Sequence, residues 1–207
     1  MARGRNVINQ SIALEGGDEI VAMLRKMGDE GEAAAKKLEA ALGRPVLQLQ
    51  GEVPEDDVIR LAVQCAGAGA DDVGLSDTTG YANPAQVRRL FTQLRAEIGD
   101  KAGAAHMHNT RGLGLANCLA AYDVGVRTFD ASLGGLGGCP YAPGASGNAA
   151  TEDLAFMLEA CGVKTGIDIP KLLALRQQVA GWLTGEQTNG TLWRAGLPKN
   201  FKGALHG

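Results

Sequence analysis

Aromatic residues are scarce in this 207-residue chain, at 4% of the sequence, and no apolar run is as long as a membrane-spanning helix. The net charge is −3, and the basic residues form no stripe. These absences exclude the aromatic platforms and basic surfaces with which proteins bind nucleic acids. There is also no leader-like segment at the start. The sequence therefore predicts a globular cytoplasmic protein with neither a nucleic-acid nor a membrane partner.

Paired cysteines are missing as well, because no Cys-x-x-Cys motif occurs among Cys65, Cys118, Cys139 and Cys161. In a reducing compartment, cysteines this far apart are expected to be free thiols. Cys65, Cys118 and Cys161 fall within or at the end of predicted helices, and we expect them to be core residues. Cys139 lies in a predicted loop and needs a different explanation.

Glycine, in contrast, is abundant, with 30 residues in the chain. Residues 132–148 alone contain six glycines, two prolines and one cysteine. Glycine and proline weaken both helices and interior strands, so this segment, called the glycine loop below, is predicted to lack regular structure. Unstructured loops of this length in a compact domain are usually functional.

Apolar periodicity divides the chain into alternating strands and helices. Strands are predicted over 46–50, 72–77, 104–108 and 126–132. Helices are predicted over 18–42, 54–66, 83–98, 113–124, 151–160 and 169–183. This alternation predicts an α/β fold of about four β/α units around a parallel sheet. We expect one domain over residues 1–207, with a weakly patterned tail over 184–207.

Polar side chains follow the carboxyl ends of these predicted strands. Asp77, His106, His108 and the glycine loop all lie at or just beyond a strand end. In (β/α) barrels the catalytic residues lie at that rim, and open α/β sheets follow the same rule. The placement predicts a site at this edge of the sheet but does not by itself separate a barrel from an open sheet.

His106 and His108 are separated by one residue on a predicted strand. Side chains alternate along a strand, so both imidazoles point to the same face, as two metal ligands would. The alternative is a histidine pair that only forms hydrogen bonds at a polar strand end. We expect a metal site, to which Asn148 could add an amide oxygen. Nitrogen and oxygen ligands without a thiolate favour Mg²⁺ or Mn²⁺, and less specifically Zn²⁺.

Two further residues are candidates for chemistry. Cys139 lies between Gly138 and Pro140 in a loop that offers little apolar burial, which favours a reactive thiol over a core residue. Asp77 is either an active-site carboxylate or a turn residue that bonds its own backbone. Glu152 and Asp153 fit the first turn of a helix, and we interpret them as structural.

Three motifs together carry a resemblance to a known family. They are Ser76-Asp77-Thr78-Thr79-Gly80, His106-Met107-His108-Asn109-Thr110, and Gly134 through Asn148 followed by Thr151-Glu152-Asp153-Leu154. The run Gly-Leu-Gly-Gly-Cys-Pro-Tyr is the most specific of them. In type and spacing they resemble the C-terminal part of the 3-hydroxy-3-methylglutaryl-CoA lyases, most clearly over residues 71–175.

The resemblance implies a TIM-barrel fold and a function. Members of the family cleave 3-hydroxy-3-methylglutaryl-CoA, an acyl-CoA of leucine catabolism, into acetyl-CoA and acetoacetate with a divalent cation. Carried over by position, His106, His108 and Asn148 would be metal ligands. Cys139 would take part in proton transfer, and Asp77 would be an active-site carboxylate. Relatives that act on other branched 3-hydroxyacyl-CoA esters keep the exact substrate open.

One departure concerns the whole chain. The family begins its barrel with an Arg-Asp-Gly motif that supplies a catalytic arginine and a further metal ligand, and no such motif occurs here. Four strands are predicted where the family has eight. We therefore expect a partial barrel that is either N-terminally incomplete or completed by another chain. As partners we expect further copies of the chain in a homo-oligomer, or the missing N-terminal half. The alternatives are an inactive half-barrel and a related Claisen-type synthase or aldolase.

Overall fold

A computed structural model describes residues 54–138 and 147–201 of the chain. In chain order these residues form α1 (Glu55–Gly67), β1 (Val73–Asp77), α2 (Pro84–Ile98), β2 (Ala102–Met107), α3 (Gly114–Asp123), β3 (Phe129–Asp130), α4 (Thr151–Ala160), α5 (Ile169–Trp182) and α6 (Leu192–Ala195). Two short 3-10 turns, Gly99–Lys101 and Leu133–Gly135, lie between them. The predicted helix 18–42, the predicted strand 46–50 and Cys139 lie outside the described residues.

The described strands form one parallel sheet in the order β1-β2-β3. Ser76 of β1 is in register with His106 of β2, which is in register with Asp130 of β3. Two parallel strands need a crossover connection of a dozen or more residues. The segments that contain α2 and α3 supply the two connections here. The predicted α/β class is confirmed, and the three strand ends meet at one edge.

The main core lies between the sheet and three helices. These are α1, which precedes β1, and α2 and α3, which connect the strands. Leu90, Phe91 and Leu94 of α2 and Leu75 of β1 are almost completely buried. A second, smaller core joins α4, α5 and α6 through Ala155, Ile169 and Leu192. This second core includes part of the predicted tail, so residues up to 201 pack on the domain.

Local sequence signals set most of the helix boundaries. Asn83 caps α2 by accepting a hydrogen bond from the Gln86 backbone N–H, and Pro84 occupies the first turn. Asp168 caps α5 in the same way through the Lys171 N–H. The predicted boundaries of the helices from α1 to α5 agree with the structure to within one or two residues.

Two predictions made from the sequence are wrong. The strand predicted over 126–132 is only Phe129–Asp130, because Val126 still packs in the core and Arg127 turns back to donate to the Tyr122 and Val126 carbonyls. Cys161 is exposed, because it follows the last residue of α4. The tail contains α6, which the sequence pattern did not indicate. Cys65 and Cys118 are buried free thiols, as predicted.

Candidate metal and active site

The two histidines lie side by side at the carboxyl end of β2. Their ring centroids are 5.2 Å apart and the ring planes are inclined by 48°. His106 is partly exposed, whereas His108 is buried, at 5% exposure. The His108 N–H donates to the Asp77 carbonyl at 3.3 Å, which ties this position to the end of β1. Strand alternation therefore brings the imidazoles together at the edge where the predicted site lies.

Asn148 reaches the histidines because the glycine loop returns along β2. Asn148 forms an antiparallel bridge with His108, and the Ala149 N–H donates to the Met107 carbonyl at 3.0 Å. The side-chain Nδ2 of Asn148 donates to the Leu136 carbonyl at 2.7 Å. The amide is therefore fixed by the outgoing side of the same loop, and its Oδ1 remains available.

Two buried atoms at this place have no hydrogen-bond partner among the described residues, Nδ1 of His108 and Oδ1 of Asn148. Leaving such atoms unsatisfied costs about 1–3 kcal/mol each. A divalent cation would accept electron pairs from both an imidazole nitrogen and an amide oxygen. The donor set therefore fits a metal ion, with neighbouring His106 as the third candidate ligand.

The electrostatic state of His108 also suits a ligand. Burial, and secondarily the proximity of His106, lowers the pKa of His108 to about 4. The imidazole is therefore neutral near pH 7, and the neutral form is the one that binds a metal. His106 has a carboxylate nearby, with Nδ1 3.8 Å from Oδ2 of Asp130. At that distance the two atoms form no direct hydrogen bond, so the carboxylate lies near the ring without fixing its orientation.

No group of three or more His, Cys, Asp or Glu side chains in the described parts of the chain is arranged so that these side chains alone could hold a metal ion. A metal site here would thus combine two imidazoles with the amide of Asn148. Cys139 follows Gly138, the last residue described on the outgoing side of the loop, so its own position is not part of the described structure.

Asp77 is completely buried at the end of β1. Its Oδ1 accepts the Tyr81 N–H and its Oδ2 accepts the Ala82 N–H, both at 3.0 Å. Burial raises the pKa of the Asp77 carboxyl, against the lowering effect of these hydrogen bonds and of the Arg111 charge. This geometry supports the turn interpretation that the sequence left open. Its role in the chemistry stays a prediction.

Sequence reasoning missed a group of contacts that connect the first turn of α4 to the glycine loop, to α5 and to the start of α6. Glu152 and Asp153, interpreted as first-turn acids of α4, bind other segments of the chain. The Glu152 carboxylate accepts from Arg176 and from the Gly134 N–H, and Asp153 accepts the Thr191 and Leu192 N–H groups. Both acids are structural, as expected, but their partners are distant in sequence and no local pattern indicates them.

Comparison with known proteins identifies the family. A model of the family described as HMGL-like matches residues 8–179. The chain belongs to the HMGL-like family. Membership in this family explains why the three motifs, the histidine pair and the returning glycine loop occur together at one edge of a parallel sheet. It also confirms the predicted partial barrel.

Several lyases are similar to this member of the family. The hydroxymethylglutaryl-CoA lyase YngG of Bacillus subtilis is 49% identical over 123 residues, which are 59% of this chain and 41% of that protein. The (R)-citramalyl-CoA lyase of Chloroflexus aurantiacus is 44% identical over 145 residues, or 70% of this chain and 44% of that one. This HMGL-like chain thus spans about half the length of the curated relatives it matches.

A solved structure gives the same relation. An HMG-CoA lyase from Acinetobacter baumannii, in complex with coenzyme A and 3-methylmalate, matches with a TM-score of 0.68 and 46% identity. The match covers 73% of this chain and 50% of that one. The proteins to which this chain is similar thus include lyases named for two different acyl-CoA compounds. None of the helices in the described segments has the length and apolar character needed to span a membrane.

Proposed function

We propose that this protein is a divalent-metal-dependent carbon–carbon lyase that acts on 3-hydroxy-3-methylglutaryl-CoA or a similar branched 3-hydroxyacyl-CoA. The observation that carries the proposal is the pair of buried, unpartnered atoms, Nδ1 of His108 and Oδ1 of Asn148, beside the His106 ring. The two lyases of different acyl-CoA esters among the relatives support the substrate class. The two names differ in the acyl group, so the identity of the acyl group is itself part of the proposal.

His106, His108 and Asn148 would hold the cation, Mg²⁺ or Mn²⁺. When bound, such an ion supplies Lewis acidity that lowers the pKa of a tertiary hydroxyl group. The protein's own contribution is the fixed placement of the ligands. His108 is neutral and buried, and the hydrogen bond from Nδ2 of Asn148 to the Leu136 carbonyl keeps its Oδ1 free.

The cleavage itself needs two proton movements. The substrate hydroxyl loses its proton to a water molecule as its carbon becomes the ketone carbon of acetoacetate. The bond from that carbon to the α-carbon of the thioester breaks, and its electron pair forms the enolate of acetyl-CoA. That enolate carbon then takes up a proton, and we assign the donor role to the Cys139 thiol. Asp77 contributes by holding the turn after β1, where its carboxylate binds two backbone N–H groups.

We also propose a cytoplasmic location. Three described cysteines, Cys65, Cys118 and Cys161, are free thiols, which is typical of proteins in reducing compartments.

Metal binding by the full chain tests the proposal. We expect the unaltered protein to bind Mn²⁺, measured by equilibrium dialysis and electron paramagnetic resonance, and the double variant His106→Ala/His108→Ala to lose it. Cys139→Ala is the matched control, because it should keep the metal while lowering turnover about 100-fold or more. Equal Mn²⁺ content in the double variant would contradict the ligand set, and unchanged turnover in Cys139→Ala would contradict the donor role.

A second candidate is a half-barrel that needs another chain to complete its site. The chain spans 41% of YngG and 44% of the citramalyl-CoA lyase. The absence of an Arg-Asp-Gly motif favours this candidate. In that case the histidine pair would bind metal, but turnover would require the added chain.

A further inference from the structure

The outgoing side of the glycine loop rests on a segment from the far end of the chain. The Asn189 N–H donates to the Gly134 carbonyl at 2.6 Å, and the Gly134 N–H donates to Oε2 of Glu152 at 3.0 Å. Gly134 therefore has both of its backbone polar groups bound by residues outside the loop. These contacts fix the outgoing side relative to α4 and to the residues before α6.

A buried arginine joins the same elements. Arg176 of α5 is 2% exposed, and its Nε donates to Oε1 of Glu152 at 2.7 Å. Its Nη2 donates to Oγ1 of Thr188 at 3.0 Å and to the Asn189 carbonyl at 3.2 Å. The guanidinium also lies 3.9 Å from the centre of the Trp193 ring. One planar fork thus holds three points that a single ammonium could not hold together.

The two sides of the loop touch each other at the same place. A Cβ atom on Gly147 would lie 2.7 Å from the Gly135 carbonyl oxygen and 2.7 Å from Nδ2 of Asn189. A Cβ on Gly135 would lie 2.9 Å from the Asn148 carbonyl oxygen. The outgoing side, the returning side and Asn189 are therefore packed without room for a methyl group. A shift of Asn189 would have to move both sides of the loop.

The same packing also holds the candidate ligand Asn148. Leu136, two residues after the anchored Gly134, accepts the hydrogen bond from Nδ2 of Asn148. The orientation of the Asn148 amide is therefore set by the same part of the loop that Glu152 and Asn189 hold. Buried ion pairs add little net stability compared with apolar replacements, so the Glu152–Arg176 pair is better explained by the geometry it imposes.

We propose that Arg176, together with Glu152 and the segment Thr188–Asn189, positions the glycine loop so that the Asn148 amide oxygen faces the histidine pair. These are positioning residues, and the inference rests on the proposed metal site. The arginine acts through the loop and contacts no ligand atom itself. Changes at Arg176 or Thr188 should weaken metal binding although neither residue is a ligand.

The test measures Mn²⁺ binding by full-length variants. Arg176→Lys keeps the charge but loses the fork, and we expect its Mn²⁺ dissociation constant to rise about 10-fold, in the range typical of groups that orient ligands. The electron paramagnetic resonance spectrum of the residual bound Mn²⁺ should also change, because the amide ligand is displaced. The far-UV circular dichroism spectrum should be unchanged. Asn200→Ala, an exposed change outside these contacts, is the control.

A gentler pair of variants covers the case in which Arg176→Lys fails to fold. Thr188→Val removes one of the two acceptors for Nη2 of Arg176 and should weaken Mn²⁺ binding, whereas Thr188→Ser keeps the hydroxyl and should restore it. Wild-type affinity and spectrum in Thr188→Val and in any folded Arg176→Lys protein would overturn the positioning role alone. Retained Mn²⁺ in His106→Ala/His108→Ala would instead overturn the proposed metal site, and this inference with it.

Discussion

Asp77 shows how burial determines what one carboxylate can do. Both of its oxygens accept backbone N–H groups, from Tyr81 and Ala82, and the side chain has no exposed surface. The next turn is close as well, since a Cβ on Gly80 would lie 2.8 Å from Cβ of Thr110. The carboxylate therefore shapes the chain after β1, at the edge that carries the histidines.

Replacing Asp77 by Asn tests this at the level of one residue. The amide can offer an oxygen to only one of the two N–H groups, and its NH₂ would face the other. We expect a loss of about 1–3 kcal/mol in the free energy of unfolding, measured by urea titration. The exposed Asp71→Asn is the control. A lower turnover with an unchanged free energy of unfolding would show instead that Asp77 takes part directly in the chemistry.

Asn109 has a local role after β2. Its Oδ1 accepts the Gly114 N–H at 2.9 Å, at the start of α3. The side chain therefore helps to fix where the helix that follows β2 begins.

At the scale of elements, the helices form where local signals agree with packing. The apolar face of α2 buries Val87, Leu90, Phe91 and Leu94, and its first turn has both a capping side chain and a proline. β3 is short because the residues before it are held by Arg127 in a turn after α3. The composition of residues 126–132 predicted a longer strand. An outer strand forms only where it pairs with its neighbour, and here the pairing covers two residues.

The cap of α2 gives a prediction at this scale. Asn83→Ala removes the acceptor for the Gln86 N–H, and we expect the free energy of unfolding to fall by about 1 kcal/mol. Thermal and urea unfolding would measure it. Asn83→Asp keeps an acceptor oxygen and should stay close to the unaltered protein. Equal losses in both variants would mean that the side chain contributes through other contacts.

At the scale of the whole molecule, the described sheet has three strands, whereas the chain spans about half the length of its relatives. Large apolar side chains are exposed on and after α5, among them Trp182 at 73%. Exposed apolar surface of this kind favours association with a second chain.

Mass measurement tests that association. We expect light scattering to give a mass above that of one 21.4 kDa chain, because the exposed apolar side chains on and after α5 favour pairing. Turnover should then follow the associated fraction as the protein is diluted. A single 21.4 kDa species with full activity would contradict both the association and the need for a completed barrel.

The sequence by itself determined the α/β class, the positions of most helices and the edge where the polar residues gather. Periodicity and capping residues are local, so they are readable without coordinates. The alternation of strand side chains was likewise enough to predict that His106 and His108 would be neighbours, and their ring centroids lie 5.2 Å apart. Asn148 became a candidate ligand through the resemblance of the loop motif to that of the lyase family.

The tertiary structure alone decided which distant groups meet. Glu152 binds the Gly134 N–H across 18 residues and Arg176 across 24, and Asp153 binds Thr191 across 38. Nothing in the pattern of α5 or of the tail distinguishes Arg176 or Asn189 from surface residues. Their burial follows from how α4, α5 and the tail pack against the loop. Such contacts depend on the arrangement of whole elements, and local sequence encodes only the faces those elements present.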